Sequence, residues 1–144
     1  MPSSVDLLDA NVWLALVAEA HTHHQRALAF WDGAAHDVAA FCRVTHLALL
    51  RHLTNKAIMG EHRLTPRAAW KKCGELLALP EVRLLQEPTG LSEQLGRYCD
   101  SGRTSPNLWT DAYLAAFAKC AGLRLVSFDP GLSTFTDVEV LTLA

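Results

Sequence analysis

Val5-Asp6-Leu7-Leu8-Asp9-Ala10-Asn11-Val12-Trp13-Leu14-Ala15-Leu16 is the stretch on which the reading of this chain turns. Val5 to Leu8 reads as a short buried strand. Asp9 breaks the apolar run, and Asn11 opens a helical pattern through an Asx-type start, running to about Glu19. A carboxylate at the end of a first strand, beside a helix start, is a costly place for a mere surface charge. In open parallel α/β sheets that edge is where ligands and chemistry sit. The rest of the chain is therefore searched for acids that return to it.

Working outward, His21-Thr22-His23-His24 gathers three histidines. No cysteine or carboxylate completes a metal set inside the motif, so it reads as a helix–helix connection. Thr22 is expected to cap a second helix through Gln25, Ala27, Leu28, Phe30 and Trp31. Asp37 to Cys42 is the second strand. Val44 to about Thr54 is the next helix, and its start lies at the same edge as Asp9, so Thr45 and His46 are expected to face it. Asn55 to Arg63 reads as a connection. Thr65 as N-cap and Pro66 at the first helical position open a helix that runs to about Leu79. Val82 to Gln86 is a third strand, and Gly90 to Asp100 a helix. Ser101 to Thr104 is a loop. Ser105-Pro106 starts a nearly wholly apolar helix that ends at Ala121-Gly122. Asn107 and Asp111, four apart, share a face if that helix is regular from Pro106. Leu123 to Phe128 and Val138 to Leu143 are the last strands, with an Asp129-Pro130-Gly131 turn between them.

Strands alternating with helices predict an α/β fold: a central, mainly parallel sheet with helices on both faces. The 144 residues correspond to one domain spanning 1–144, and 50% apolar content is enough to build a core. A net charge of -2 neither favours nor excludes a nucleic-acid partner, because a groove can differ from the whole. Cys42, Cys73, Cys99 and Cys120 form no C-x-x-C pair and read as reduced, structural thiols. No signal peptide and no membrane-spanning run is read, so the expected location is cytoplasmic, away from membranes.

Right-handed crossovers return every strand to the same edge. Asp9 ends one strand, Asp129 ends another, and Asp111 lies in the first turns of a helix starting there. Two carboxylates about 5 Å apart at an effective dielectric of about 20 repel by roughly 3 kcal/mol. Three such pairs approach about 10 kcal/mol, comparable to the stability of a small domain. Protonation, separation or a divalent cation resolves this. Hard oxygen donors favour Mg²⁺ or Mn²⁺, with Asn11, Asn107 and Ser127 as neutral support. Such an ion activates water and polarises a phosphate oxygen, which suits phosphodiester hydrolysis. The plainer alternative is that Asp9 and Asp129 cap turns and Asp111 is a surface charge.

Four strings carry a family resemblance: Leu7-Leu8-Asp9-Ala10-Asn11-Val12-Trp13, Val44-Thr45-His46-Leu47-Ala48-Leu49-Leu50-Arg51, Leu108-Trp109-Thr110-Asp111-Ala112-Tyr113, and Val126-Ser127-Phe128-Asp129-Pro130-Gly131. In this order and spacing, from Val5 to about Leu143, the chain resembles the PIN-domain ribonucleases, and among them the VapC-type toxins of bacterial VapBC toxin–antitoxin pairs. The resemblance implies a PIN-like α/β/α sandwich and a Mg²⁺- or Mn²⁺-dependent endoribonuclease acting on structured RNA. It also implies a homodimer held by a small VapB-like antitoxin. Asp9, Asp111 and Asp129 match acids of the family's metal site, and Asn11, Thr45 and Ser127 match polar positions around it.

One position departs: after Thr45 the family commonly has glutamate, and this chain has His46. Three readings stay open for His46: metal or water ligand, outer donor to a carboxylate or RNA phosphate, or a mark of a weakened site. Arg51, His52, Lys56 and Arg103 are the candidate phosphate contacts, set against a reading as solvated surface charge. The four tryptophans read as core or interface rather than as base platforms. Two rivals follow. A haloacid-dehalogenase- or receiver-like phosphotransfer domain would use Asp9 as nucleophile, but Asn11 stands where the former wants a second acid. A degenerate PIN domain would grip RNA or an antitoxin without cutting, and His46 keeps that reading alive.

Overall fold

The computed structural model describes residues 4–102 and 105–144. Five strands form one sheet: β1 (Val5–Leu8), β2 (Val38–Phe41), β3 (Val82–Leu84), β4 (Arg124–Ser127) and β5 (Val140–Thr142). Their order is β3-β2-β1-β4-β5 and every pairing is parallel. The expected parallel α/β architecture is therefore what the chain adopts.

Alternation along β1 sends its side chains to opposite faces. Leu7 and Leu8 are both fully buried, each in a different core. The Leu8 face is covered by α1 (Ala10–Val17), α2 (His24–Gly33), α3 (Arg43–Leu53) and α5 (Pro66–Leu77). Its centre is Trp13, stacked on Phe41 with ring centroids 4.0 Å apart. The Leu7 face is covered by α6 (Leu91–Tyr98) and α7 (Leu108–Ala121). α7 lacks a strong polar stripe because Ala112, Leu114, Ala115, Ala116, Phe117 and Ala118 are all buried. It stops at Gly122, whose left-handed φ of 68° lets Leu123 N–H return to the Ala118 carbonyl at 2.8 Å.

Several sequence expectations shift. Asp9, not Asn11, is the N-cap of α1, because its extended backbone brings its own carboxylate onto the Ala10 N–H. Thr22 is not the N-cap of α2. The residue before α2 is His23, without a side-chain cap, and His21 Nδ1 accepts the His23 N–H instead. The 55–63 connection holds a short helix, α4 (Lys56–Met59), and a 3-10 turn, Gly60–His62. Asn55 caps α4 by accepting from Ala57 N–H at 2.8 Å. α7 starts at Leu108 with Asn107 as its N-cap residue, so Ser105-Pro106 forms a turn before it. Thr65 and Pro66 open α5 as expected. The remaining ends move by a few residues, and a 3-10 turn, Cys99–Ser101, finishes what was read as one helix to Asp100.

This topology sets the site. From β1 the chain crosses one face to β2 and β3, then crosses the other face to return at β4, on the far side of β1. The order reverses between β1 and β4, and open α/β sheets place their crevice at the carboxyl end of such a pair.

Candidate active site

Asp9 sits at that crevice, half-buried, one residue beyond β1. Its backbone N–H continues the ladder to the Val126 carbonyl at 2.9 Å, which fixes the side chain's origin. Oδ1 accepts the Ala10 N–H at 2.7 Å, and Oδ2 accepts the Ser127 hydroxyl at 2.8 Å. Ser127, fully buried at the end of β4, then accepts the Asp129 N–H at 2.9 Å and an Asn11 Nδ2–H at 3.2 Å. A hydroxyl has one donor and two acceptor sites, so that of Ser127 is saturated. Asn11 closes the ring by accepting the Phe128 N–H at 3.3 Å.

One hydroxyl thus ties the Asp9 carboxylate to the backbone of Asp129. Desolvation by burial pushes the Asp9 carboxyl above its ordinary value. The bonds from Ser127 and Ala10 pull it back, and the Asp129 charge pushes it up again. Asp129 caps the 3-10 turn Pro130–Thr134, its Oδ1 accepting the Gly131 N–H at 2.8 Å. The capping roles weighed from the sequence are therefore real for both residues, but capping does not disperse the charge they share.

Asp111 lies in the first turn of α7, half-buried, its backbone N–H donating to the Asn107 carbonyl at 2.9 Å. Asp111, Asp129, Asn107 and Ser105 line one cleft of 440 Å³. The acids are thus linked in two ways: the Asp9 carboxylate to the Asp129 backbone through Ser127, and Asp129 with Asp111 as linings of one cleft. Among the described residues, no three His, Cys, Asp or Glu side chains gather closely enough to cage an ion. The donor set is nevertheless hard oxygen throughout, and an acid held above its normal pKa beside a second acid is the electrostatic setting that a divalent cation relieves.

The start of α3 is arranged differently from the expectation. Thr45 is buried and turned back on its own helix end. Its Oγ1 accepts the Cys42 N–H at 3.0 Å and the Cys42 side chain accepts the Thr45 N–H, a capping box, while the Thr45 hydroxyl also donates to the Cys42 carbonyl at 3.0 Å. His46 is also buried, edge-on to Phe41 and to Trp70. Its Nδ1 lies 3.0 Å from Nη1 of Arg43. Burial lowers the His46 pKa, and the Arg43 charge lowers it further.

Arg51 and His52 lie in the last turn of α3, eight and nine residues beyond Arg43. At the helical rise that is roughly 12 Å down the axis from the acidic edge. Arg51 and Lys56 are exposed, and His52 is half-buried, its pKa lowered by burial and by Arg51. α3 thus carries Arg51 and His52 away from the edge at which it starts. Arg103 lies outside the described residues. Sequence reading passed over Arg43, although a signal was present: a cation in the first turn of a helix opposes the macrodipole. Of the tryptophans, Trp13 is core, whereas Trp70 and Trp109 are 63% and 61% exposed.

Comparison with known proteins decides the family. The PIN domain matches residues 7–138. Ribonuclease VapC41 of Mycobacterium tuberculosis is 38% identical over 143 residues, covering 96% of this chain and 98% of that protein. This chain is a PIN domain of the VapC family. Ribonuclease VapC37 of the same organism is 32% identical over 135 residues, covering 92% of this chain and 93% of that protein. Among solved structures, VapBC-1 from nontypeable Haemophilus influenzae superposes with a TM-score of 0.69 at 15% identity, covering 96% of this chain and 97% of that one. The sarcin–ricin loop cleaving toxin VapC20 of Mycobacterium tuberculosis superposes with a TM-score of 0.66 at 20% identity, covering 90% of this chain and 93% of that one. At those identities the two structures attest the PIN fold. The expected PIN-like sandwich and VapC affiliation hold. Among the described residues no helix is long and apolar enough to cross a membrane.

Proposed function

We propose that this PIN domain is a divalent-metal-dependent endoribonuclease of the VapC toxin type. The observation that carries the reading is the Asp9–Ser127–Asp129 linkage at the β1/β4 crevice: Ser127 ties the Asp9 carboxylate to the Asp129 backbone, the Asp129 charge acts on Asp9, and Asp9 is held above its ordinary pKa. Asp111 is the third acid, on the cleft it shares with Asp129. Mg²⁺ or Mn²⁺ would be held by Asp9, Asp129 and Asp111. An ion held by these residues would supply a water of lowered pKa and would offset charge on a phosphate under attack.

The chain's own residues do the positioning. Ser127 holds Oδ2 of Asp9 in place, and Asn11 holds Ser127 by spanning to the Phe128 backbone. Asn107 stands at the mouth of the Asp111 cleft, where a neutral amide meets RNA or solvent without adding charge. Asp9 competes for a proton and for a cation with the same oxygens, so metal affinity falls as the pH is lowered toward its raised pKa. His46 is not counted among the metal ligands, because Arg43 occupies its Nδ1.

The proposed partners are those of the family: RNA as substrate, a VapB-like antitoxin, and a second copy of the chain. The alternative reading, a weakened PIN domain that grips RNA without cutting, draws on the same His46 geometry, since no carboxylate stands at that position. Incubating a pool of structured RNAs with antitoxin-free protein, in Mn²⁺, in Mg²⁺ and in chelator, tests the proposal. Metal-dependent cleavage lost in Asp111→Asn is the expected outcome. Metal-independent cleavage, or none with RNA binding intact, would contradict it and favour the alternative.

A further inference from the structure

We propose that Arg43, positioned by His46, is an anion-binding residue of the substrate groove and takes a backbone phosphate of the RNA beside the acidic pair rather than at it. The inference rests on the ribonuclease reading above.

The register places it. Leu7 of β1 pairs with Ala40 of β2, so the residue that continues opposite Asp9 is Cys42. Adjacent strands lie about 4.8 Å apart, and Arg43 follows Cys42 directly. Arg43 is therefore on the same edge as the acids, on the strand neighbouring Asp9. Its side chain is directed to the β3 side of that edge, where it lines a 510 Å³ cleft with Leu84, Leu85, Gln86 and Glu87. Glu87 is the acid on that rim, and it accepts the Tyr113 hydroxyl at 2.7 Å.

The Arg43–His46 bond has a determined polarity. A guanidinium only donates, so Nδ1 of His46 is the acceptor and the ring is neutral with its proton on Nε2. Neither ring nitrogen is then free to ligate a metal. The ring is 3% exposed and held between Phe41 and Trp70, with centroid distances of 6.0 and 5.7 Å. A fixed acceptor under an exposed guanidinium anchors one of its five N–H donors and aims the rest outward.

Charge gives the chemistry of the ligand. Where the family resemblance expects a carboxylate, this chain presents a neutral ring and a cation, a local change of sign. Arg43 also opens an eleven-residue helix, where a lone cation is disfavoured by the macrodipole. An anion resting on Arg43 removes that conflict. Planar, forked guanidinium donors match a phosphate, and the polyanion this protein is proposed to cut supplies phosphates along the groove.

The test measures binding of a fluorescein-labelled RNA hairpin to the full chain in chelator, by anisotropy, across a KCl series, together with calorimetric Mn²⁺ titration. Arg43→Gln is expected to weaken RNA binding roughly five- to tenfold and to lower the salt slope by about 0.7–0.9, the loss of one phosphate contact. Mn²⁺ binding should stay as in the wild type. Arg43→Lys should restore the slope, since charge is kept, but only part of the affinity. His46→Glu should mimic Arg43→Gln, because the new carboxylate draws the guanidinium away from RNA. An Arg43→Gln protein with wild-type affinity and slope would overturn the proposal alone. So would a His46→Glu protein that keeps RNA affinity and gains Mn²⁺ affinity, since His46 would then stand at a lost ligand position. A wild type that binds Mn²⁺ but no RNA would overturn the ribonuclease reading, and this proposal with it.

Discussion

Asp6, within β1, and Asp9, one residue beyond its end, are treated in opposite ways. Asp6 is fully buried, and Arg124 answers it with two bonds, Nε to Oδ1 at 2.7 Å and Nη2 to Oδ2 at 3.0 Å. The His36 N–H donates to Oδ2 at 2.8 Å, and the His36 ring lies 3.1 Å from Oδ1. Arg124 is itself tied to the Ala34 carbonyl. This is a closed, charge-balanced network that pins β1 to β4 at the end of the sheet away from the crevice. Asp9, at the other end of β1, meets only a hydroxyl and a backbone amide, and the charge that acts on it is that of Asp129. Among the described residues, no cation pairs with it. A buried acid with its counter-charge built in serves the fold. An acid left without one, next to a second acid, is on the proposed reading the place where a cation from outside would bind.

The largest effect expected from this comparison is at Asp6. Arg124→Met leaves a fully buried carboxylate without its cation and should reduce stability by about 3–5 kcal/mol. Urea unfolding measures it. Cleavage per folded molecule should survive, because Arg124 touches none of the three acids. A loss below about 1 kcal/mol would mean that water or His36 compensates Asp6, and the contrast would weaken.

At Asp9 the sign is reversed and the size smaller. An acid whose pKa is raised by folding holds its proton more tightly in the folded state. Stability therefore falls as the pH rises from the ordinary aspartate value through the raised one, and stays lower above it. Asp9→Asn removes that penalty. The variant should be more stable than the wild type at neutral pH, with the gain vanishing below the ordinary aspartate pKa of about 4. Thermal unfolding across pH shows it. A variant less stable than the wild type at neutral pH would make Asp9 a structural residue like Asp6.

Much of this was legible in the sequence, for identifiable reasons. Short apolar runs separated by helical patterns fix a parallel α/β sheet, and β1 ends where Asp9 interrupts the run. The Asp129-Pro130-Gly131 turn was equally plain, since each of its residues has a stated turn role. What stayed hidden was long-range. The Asp6–Arg124 pair spans 118 positions, and nothing local in either segment names the other. The start of α7 was misplaced because Ser105-Pro106 carries a helix-opening signal that the chain uses as a turn instead. The substitution at His46 was visible, but its meaning depends on Arg43, three residues earlier. Sequence reading treated His46 alone, and only the geometry shows one nitrogen already taken. Arg51 and His52 lie in the last turn of α3, which starts at the acidic edge and runs away from it.

Titrating Mn²⁺ calorimetrically into the wild type and Asp9→Asn tests the central claim most directly, with stability of both monitored in the same buffers. Saturable binding to the wild type is expected near neutral pH, accompanied by a rise in its unfolding temperature. Neither is expected in Asp9→Asn, although that variant starts the more stable of the two. Equal Mn²⁺ affinity in both proteins would contradict that claim, because the uncompensated acid at the β1/β4 crevice would then have no part in holding the cation.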